Sequence, residues 1–220
     1  MKKYLLTIIC LGVISSVTCW AKNEPAAQPS AKPVAATSQT APKKDPQPAK
    51  NAQQSVTFNG KKFYLQYSNG NREGWINEYL PAGQNFNNYT EMVAFYAYNI
   101  KATPIDIAVL ISQNYDKNFP QLPCVVGPIE PATKDSAKEK DFGVTFLIPT
   151  TKFYESNAFR ITSQNGQTVY LQYVKRFTPP AGNAAEAVKA GLQKVEKEWP
   201  VQIQELYKMP LPAMVRTVKK

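Results

Sequence analysis

The first 54 residues restrict most strongly what this chain can fold into, because their composition is not that of a folded domain. Two lysines precede an apolar run from Tyr4 to Val17, and small residues follow as far as Ala21. A basic start, a short apolar core and a small-residue exit are typical of an export signal. We therefore predict that residues 1–21 are a signal peptide that is cleaved after Ala21.

Two other interpretations of this leader stay open. The apolar run is shorter than the roughly 20 residues that span a bilayer, yet an uncleaved leader would still anchor the chain. Lipidation at Cys19 would also anchor it, although Ser16 and Thr18 depart from the residues that bacterial lipoprotein signals place there. We expect a periplasmic protein, with secretion or an envelope lipoprotein as alternatives. Membrane contact is expected only with a retained leader or a lipidated Cys19.

Residues 22–54 are rich in Pro, Ala, Lys and Gln and contain no aromatic residue. Such a segment buries too little apolar area to offset the entropy of ordering, and its prolines favour extended conformations. We interpret it as a disordered tether, with weak attraction to anionic polymers or headgroups as the alternative. The net charge of +10 is spread over the whole chain, so a nucleic-acid partner is not expected.

Residues 55–220 are predicted to form a single α+β domain with a mainly antiparallel sheet. Asn59-Gly60 and Asn165-Gly166 lie between strand-like segments and predict tight hairpins. Met92–Tyr98 is continuously apolar, which favours a central strand over a buried helix. Other strands are predicted at Val56–Phe58, Lys61–Ser68, Trp75–Leu80, Cys124–Val126, Phe142–Ile148, Ala158–Thr162 and Thr168–Val174. In Lys61–Ser68, alternation predicts Phe63, Leu65 and Tyr67 on one face, and Tyr64 and Gln66 on the other.

One central helix is predicted to begin at Thr103, because Thr can cap, Pro104 suits the first turn and Asp106 completes a capping box. The helix is expected to end near Phe119. Its apolar face is predicted to consist of Ile105, Ala108, Val109 and Ser112.

A long amphipathic helix is predicted from Ala184 to Tyr207, where apolar residues recur every three or four positions. We expect it to pack on the sheet and Pro200 to kink or split it. Residues 131–140 are interpreted as a charged loop. The tail after Met209 is expected to be irregular and basic.

The chain contains no histidine, which removes the commonest general base and most transition-metal sites. No catalytic motif is recognisable, so we predict no enzymatic activity, no catalytic residues, no metal site and no cofactor. The acids between Glu130 and Asp141 alternate with lysines and indicate a solvated loop. Glu73 and Glu78 flank Trp75 and could form a carboxylate pair for glycan hydrolysis, but two ordinary surface acids are expected.

After cleavage Cys124 is the remaining cysteine, and it cannot form an internal disulfide. Its apolar neighbours predict a buried, unreactive thiol.

Aromatic residues are concentrated in the first half of the folded part, where most are expected to pack in the core or on strands. Those exposed on one face could bind glycans or peptides, because they offer flat apolar rings with polar edges. The loops at 68–73 and 83–90 are the expected contact surfaces. The candidate binding residues are Tyr64, Tyr67, Trp75, Tyr79 and Tyr89.

The segment Asn77–Gln84, Asn-Glu-Tyr-Leu-Pro-Ala-Gly-Gln, is followed by Tyr-Thr-Glu-Met-Val at Tyr89–Val93. It resembles a segment of small, uncharacterised exported proteins of bacteria. The resemblance implies a bacterial export origin and no activity.

The expected function is an exported, non-catalytic binding or assembly module of the bacterial cell envelope, whose partner is an envelope protein or polymer. The alternatives are a His-free envelope enzyme acting on cell-wall or glycan material, and a secreted factor.

Overall fold

A computed structural model of the chain describes residues 54–129 and 140–211. The described strands are β1 (Ser55–Phe58), β2 (Lys61–Gly70), β3 (Gly74–Pro81), β4 (Glu91–Tyr98), β5 (Val125–Pro128), β6 (Asp141–Pro149), β7 (Tyr154–Gln164) and β8 (Gln167–Phe177). The described helices are α1 (Pro104–Asn118), α2 (Ala184–Glu196) and α3 (Trp199–Lys208).

Several predictions concern residues outside these ranges. They are the signal peptide with its cleavage and lipidation alternatives at Ala21 and Cys19, and nearly all of the tether. Most of the charged loop and the end of the basic tail also lie outside the described residues.

The strands form one antiparallel sheet in the order β1-β2-β3-β4-β8-β7-β6-β5. Each half of the sheet is a meander, and the two halves meet where β4 pairs with β8 from Glu91↔Lys175 to Tyr98↔Thr168. The central strands are therefore β4 and β8, whose residues are nearly all buried. Helix α1 connects the central β4 to β5 at one edge.

Helices pack on both faces of the sheet. Tyr115 of α1 lies 4.7 Å from Phe146 of β6 between ring centroids, which defines the α1 face. On the other face, the α3 face, Leu206 of α3 belongs to one core cluster with Phe95 and Leu171. Paired residues on neighbouring strands lie on the same face of the sheet, and along one strand every second residue lies on that face. The pairing therefore assigns every strand residue to one of these two faces.

The sheet curls strongly toward the α3 face. Phe58 of β1 and Tyr173 of β8 have ring centroids 4.4 Å apart, although four strand spacings separate them, about 19 Å in a flat sheet. Lys61, in the same hairpin, contacts Glu91 of β4 at 2.5 Å. The β1–β2 hairpin therefore folds over the α3 face and helps to enclose that core.

Both Asn-Gly hairpins are present as predicted. Asn59 and Gly60 have φ angles of 47° and 74°, and Asn165 and Gly166 have 51° and 75°. Two successive positive φ angles are what a type I′ turn requires.

The prediction of one long carboxy-terminal helix is wrong. The segment forms two short helices, α2 and α3, which are separated at Lys197 and Glu198. Pro200 has no N–H and its ring would clash with the carbonyl of Glu196 in a continuous helix. At the second position of α3 the same proline is tolerated, because no intrahelical partner is needed there.

Helix α1 begins as predicted, with a reciprocal capping box between Thr103 and Asp106. Its predicted apolar face is wrong at Ile105 and Val109, which are 39% and 41% exposed, whereas Ala108 is buried as predicted. The buried face is formed by Pro104, Ile107, Ala108, Ile111 and Tyr115. The helix thus has two apolar stripes, and the one that contains Tyr115 is buried. The hydroxyl of Tyr115 donates there to the carbonyl of Leu147 at 2.6 Å.

The predicted alternation along β2 is interrupted by a β-bulge. Tyr64 pairs with Leu80 and Tyr67 pairs with Glu78, and the register shifts between Leu65 and Tyr67. Leu80 and Glu78 are two residues apart on β3 and share a face. The bulge therefore places Tyr67 beside Tyr64 on the α1 face, and not on the face of Leu65 as predicted.

Candidate functional site: a buried carboxyl network

A chain of side-chain hydrogen bonds crosses the α1 face of the sheet from β4 to β7. The hydroxyl of Tyr96 donates to Oε1 of Gln172 at 2.9 Å, and Nε2 of Gln172 donates to Oδ1 of Asn157 at 2.8 Å. Nδ2 of Asn157 then donates to the backbone carbonyl of Glu155 at 3.3 Å. Each step joins diagonal neighbours on adjacent strands, or neighbours two positions apart on β7.

Glu78 lies on the same face, on β3, at the start of this chain. Its side chain is next to Tyr96, because Glu78 pairs with Ala94 and Ile76 pairs with Tyr96. Burial raises the pKa of the Glu78 carboxyl to about 7, and a hydrogen bond with Tyr96 opposes this rise. Glu78 is only 9% exposed, so the sequence-based expectation of a surface acid is wrong for this residue.

A second carboxyl, Glu155, lies at the far end of the network and is neutralised. Nε of Arg176 donates to Oε2 of Glu155 at 2.9 Å, and the guanidinium lies 3.5 Å from the ring centroid of Tyr89. The Tyr89 hydroxyl donates to the same Glu155 oxygen at 3.3 Å. Arg176 is also stacked near Phe153, at 4.2 Å, so its charge is held between two rings and a carboxylate.

The loop that leads into β4 covers this end of the network. Tyr89 is buried at its end, while Gln84 and Thr90 close the loop through a backbone N–H to Oε1 bond of 2.8 Å. Nε2 of Gln84 also donates to the Thr90 hydroxyl at 3.1 Å. The loop is thus fixed by its own side chains and by the ring that it inserts.

Glu78 shares one electrostatic environment with three tyrosines. Burial raises the pKa of Tyr89, Tyr96 and Tyr98, and the negative charge of Glu78 raises each of them further. Tyr98 can lie flat on β3 because residue 74 is glycine, where a Cβ would come 2.7 Å from Cδ1 of the Tyr98 ring. Together Glu78, Glu155, Arg176 and these rings form a polar site inside the sheet.

The structure separates the five candidate binding residues. Tyr64 and Tyr67 share the α1 face at the outer part of β2, where Tyr67 is 41% exposed. Trp75 and Tyr79 lie on the α3 face, against the core cluster. Tyr89 is buried in the carboxyl network.

The other candidate groups are not brought into this site. Glu73 is exposed in the turn between β2 and β3. Burial raises the pKa of the half-buried Cys124 thiol to about 11, so the thiol is protonated at neutral pH. Within residues 54–129 and 140–211, no group of three or more acids and cysteines is placed to hold a metal ion.

The sequence singled out Glu78 only as a surface acid, and it did not indicate the other central members of the network, Tyr96, Asn157, Gln172 and Arg176. One signal was available: Glu78 and Gln172 are polar residues inside segments that otherwise have the pattern of buried strands. A buried polar side chain needs a partner, so such an interruption indicates a network even when its members are unknown.

A family model of an uncharacterised protein family matches residues 50–210. The chain belongs to this family. The match covers the whole sheet, its three helices and the carboxyl network. No curated protein matches the chain. Across the described ranges, none of the helices is both long enough and apolar enough to cross a membrane.

Proposed function

We propose that this protein is an exported, non-catalytic module that binds or assembles with a component of the bacterial cell envelope, and that it works in the periplasm. The leader-like residues 1–21 and the tether-like residues 22–54 support export. The resemblance of residues 77–93 to segments of small exported bacterial proteins supports it as well.

The observation that carries the binding role is the aromatic surface on β2. The bulge aligns Tyr64 and Tyr67 on one face, and residues 66–70 are all exposed. Among the described residues, β1 pairs with β2 as far as Tyr64, and the Leu65 N–H donates to the Gln54 carbonyl, so the outer edge of β2 from Gln66 onward also offers backbone groups. Flat rings beside such a strand edge suit contacts to a glycan or an extended peptide.

A His-free enzyme is the second candidate, and one observation favours it. A carboxyl with a pKa near 7 is suited to general acid–base catalysis at neutral pH. The binding role is preferred because Glu78 is only 9% exposed. In addition its hydrogen-bond partner Tyr96 donates to Gln172 and so belongs to the series of hydrogen bonds across the sheet. If the protein is such an enzyme, it should hydrolyse purified cell-wall material, and Glu78→Gln should abolish this hydrolysis.

Export is tested by the intact mass of the protein in fractionated cells. We expect a soluble periplasmic species that begins at Lys22. A species with an acyl mass on Cys19 would support the anchored alternative, and one found in the culture medium would support the secreted factor. A full-length species in the cytoplasm would contradict export.

Binding is tested by cosedimentation of the purified protein with isolated envelopes. We expect Tyr64→Ala and Tyr67→Ala each to weaken cosedimentation several-fold, since an aromatic anchor typically contributes more than about 1 kcal/mol to an interface. Val201→Ala, which removes an exposed apolar side chain of α3, is the matched control and should cosediment like the unaltered protein. Equal cosedimentation of all four proteins would contradict the β2 surface as the binding site.

A further inference from the structure

The buried charges of the described residues are balanced except at one position. Arg160 pairs with Asp141 at 2.6 Å, and Glu155 pairs with Arg176 at 2.9 Å. Glu78 is the third buried charged residue, and in the part of the chain that the structure describes no lysine or arginine pairs with it. An unpaired buried charge is costly, so Glu78 lies where a cation would be strongly favoured.

Tyr96 is the hydrogen-bond partner that favours an ionised Glu78, but Gln172 accepts from the same hydroxyl. The single hydroxyl proton of Tyr96 is donated to Gln172, and Gln172 in turn donates its amide to Asn157. A protonated Glu78 can donate to the Tyr96 oxygen and leave this chain intact. An ionised Glu78 needs a donor, and taking the Tyr96 proton would leave Oε1 of Gln172 without one.

Three tyrosines lie on the same face as this carboxyl. Tyr67 is its direct cross-strand neighbour on β2, and Tyr96 and Tyr98 lie on the same face of β4. Ring faces attract cations through their quadrupole, and a carboxylate among tyrosines is the arrangement that recognises organic ammonium groups. Tyr67 is 41% exposed, so the cross-strand neighbour of Glu78 on β2 is accessible from solvent.

We propose that Glu78, together with the rings of Tyr67, Tyr96 and Tyr98, binds the alkylammonium group of a ligand. This inference rests on the proposed binding function and names the chemical class that the β2 surface recognises. A free amine and the side chain of a lysine share this chemistry. The site excludes anions, because its carboxyl is the only charged group beside Tyr67 among the described pairs of β2 and β3.

Binding is expected to depend on pH, because the ammonium requires an ionised Glu78. The titratable groups near Glu78 are Tyr67 from β2, Tyr96 and Tyr98 from β4, and Tyr89 from the covering loop. The paired charges of Glu155 and Arg176 lie at the far end of the network. The buried tyrosines stay protonated below about pH 9, since burial raises the pKa of Tyr89, Tyr96 and Tyr98. Glu78 is therefore the group whose titration controls binding between about pH 5 and pH 8.

The test is an NMR titration of the purified protein with n-butylammonium chloride, and in a second arm with Nα-acetyl-lysine amide. Sodium chloride at equal concentration is the salt control. We expect binding of at least one probe at about pH 8, about tenfold weaker binding at about pH 5, and about tenfold weaker binding by Glu78→Gln at the higher pH. Glu73→Gln removes the same charge from the nearby exposed turn and should bind like the unaltered protein.

The two arms separate the sources of the ammonium group. Binding of n-butylammonium alone indicates a free amine, and stronger binding of the lysine amide indicates a peptide side chain. No binding of either probe, or equal binding by Glu78→Gln, would overturn the inference. Envelope cosedimentation of the unaltered protein separates this failure from a failure of the proposed function: absence of amine binding with cosedimentation intact refutes only the ammonium site.

Discussion

Replacing Glu78 with glutamine is expected to stabilise the protein at alkaline pH. The carboxyl titrates near pH 7 in the folded protein, against an ordinary value of 4.5. Because its folded pKa is raised, the folded state holds the proton more tightly, and the free energy of unfolding falls as pH rises between these two values. At about 1.4 kcal/mol for each pH unit, the total loss at alkaline pH is about 3 kcal/mol.

The glutamine introduced by this substitution would mimic the protonated carboxyl, since its amide can donate to the Tyr96 oxygen. The measurement is urea unfolding, followed by tryptophan fluorescence, at several pH values from about 4.5 to 8. We expect the variant and the unaltered protein to agree in stability at the acidic end. At about pH 8 the variant should be more stable by about 3 kcal/mol.

Two other glutamates serve as controls for this experiment. Glu73→Gln, in the exposed turn, removes a carboxyl outside the network and should leave the stability unchanged. Burial alone would raise the pKa of Glu91, but hydrogen bonds from Lys61 and Tyr173 hold it below its usual range. Glu91→Gln should therefore lose stability at neutral pH, with a difference that shrinks as pH falls. A Glu78→Gln variant that is destabilised at alkaline pH would refute the unpaired carboxyl.

Three further substitutions test the packing that holds the site. Gly191→Ala in α2 should destabilise the protein by about 1–2 kcal/mol in urea unfolding, because the new Cβ would lie 2.7 Å from the Tyr154 ring. In a helix without such a contact the same change is favourable by about 1 kcal/mol. A stabilised variant would therefore contradict the close approach of Gly191 to Tyr154. Arg160→Met should lower the free energy of unfolding by about 3–5 kcal/mol. One guanidinium nitrogen of Arg160 donates to three carbonyls at the end of α3, at 2.8 to 3.3 Å. A decrease below about 1 kcal/mol would show that α3 is held by other contacts. Thr103→Ala should lower the stability by about 1 kcal/mol, because the side chain that caps α1 is lost. An unchanged midpoint of thermal denaturation would contradict this prediction.

The local features of the fold could be predicted from the sequence because their causes are local. An Asn-Gly pair readily adopts positive φ angles between two strands, and the capping box of Thr103 and Asp106 is complete within four residues. The Pro200 effect is similarly local, and only its outcome, two short helices and not one kinked helix, required the structure.

The remaining features depend on residues far apart in the chain. The bulge in β2 is set by its pairing with β3, and one extra residue moved Tyr67 to the opposite face. The buried stripe of α1 was decided by which residues reach β6, where Tyr115 finds the Leu147 carbonyl. The carboxyl network joins β3, β4, β7 and β8, so no single segment of sequence contains enough of it to be recognised.

The most direct test of this account is the titration of the Glu78 carboxyl itself, followed by its carbon-13 chemical shift with and without n-butylammonium. We expect a pKa near 7 in the free protein, and a lower pKa when the ammonium is bound, because a cation favours the ionised carboxyl. A free-protein pKa near the ordinary 4.5, or one that the ammonium does not lower, would contradict a buried, unpaired carboxyl that recognises a cationic ligand.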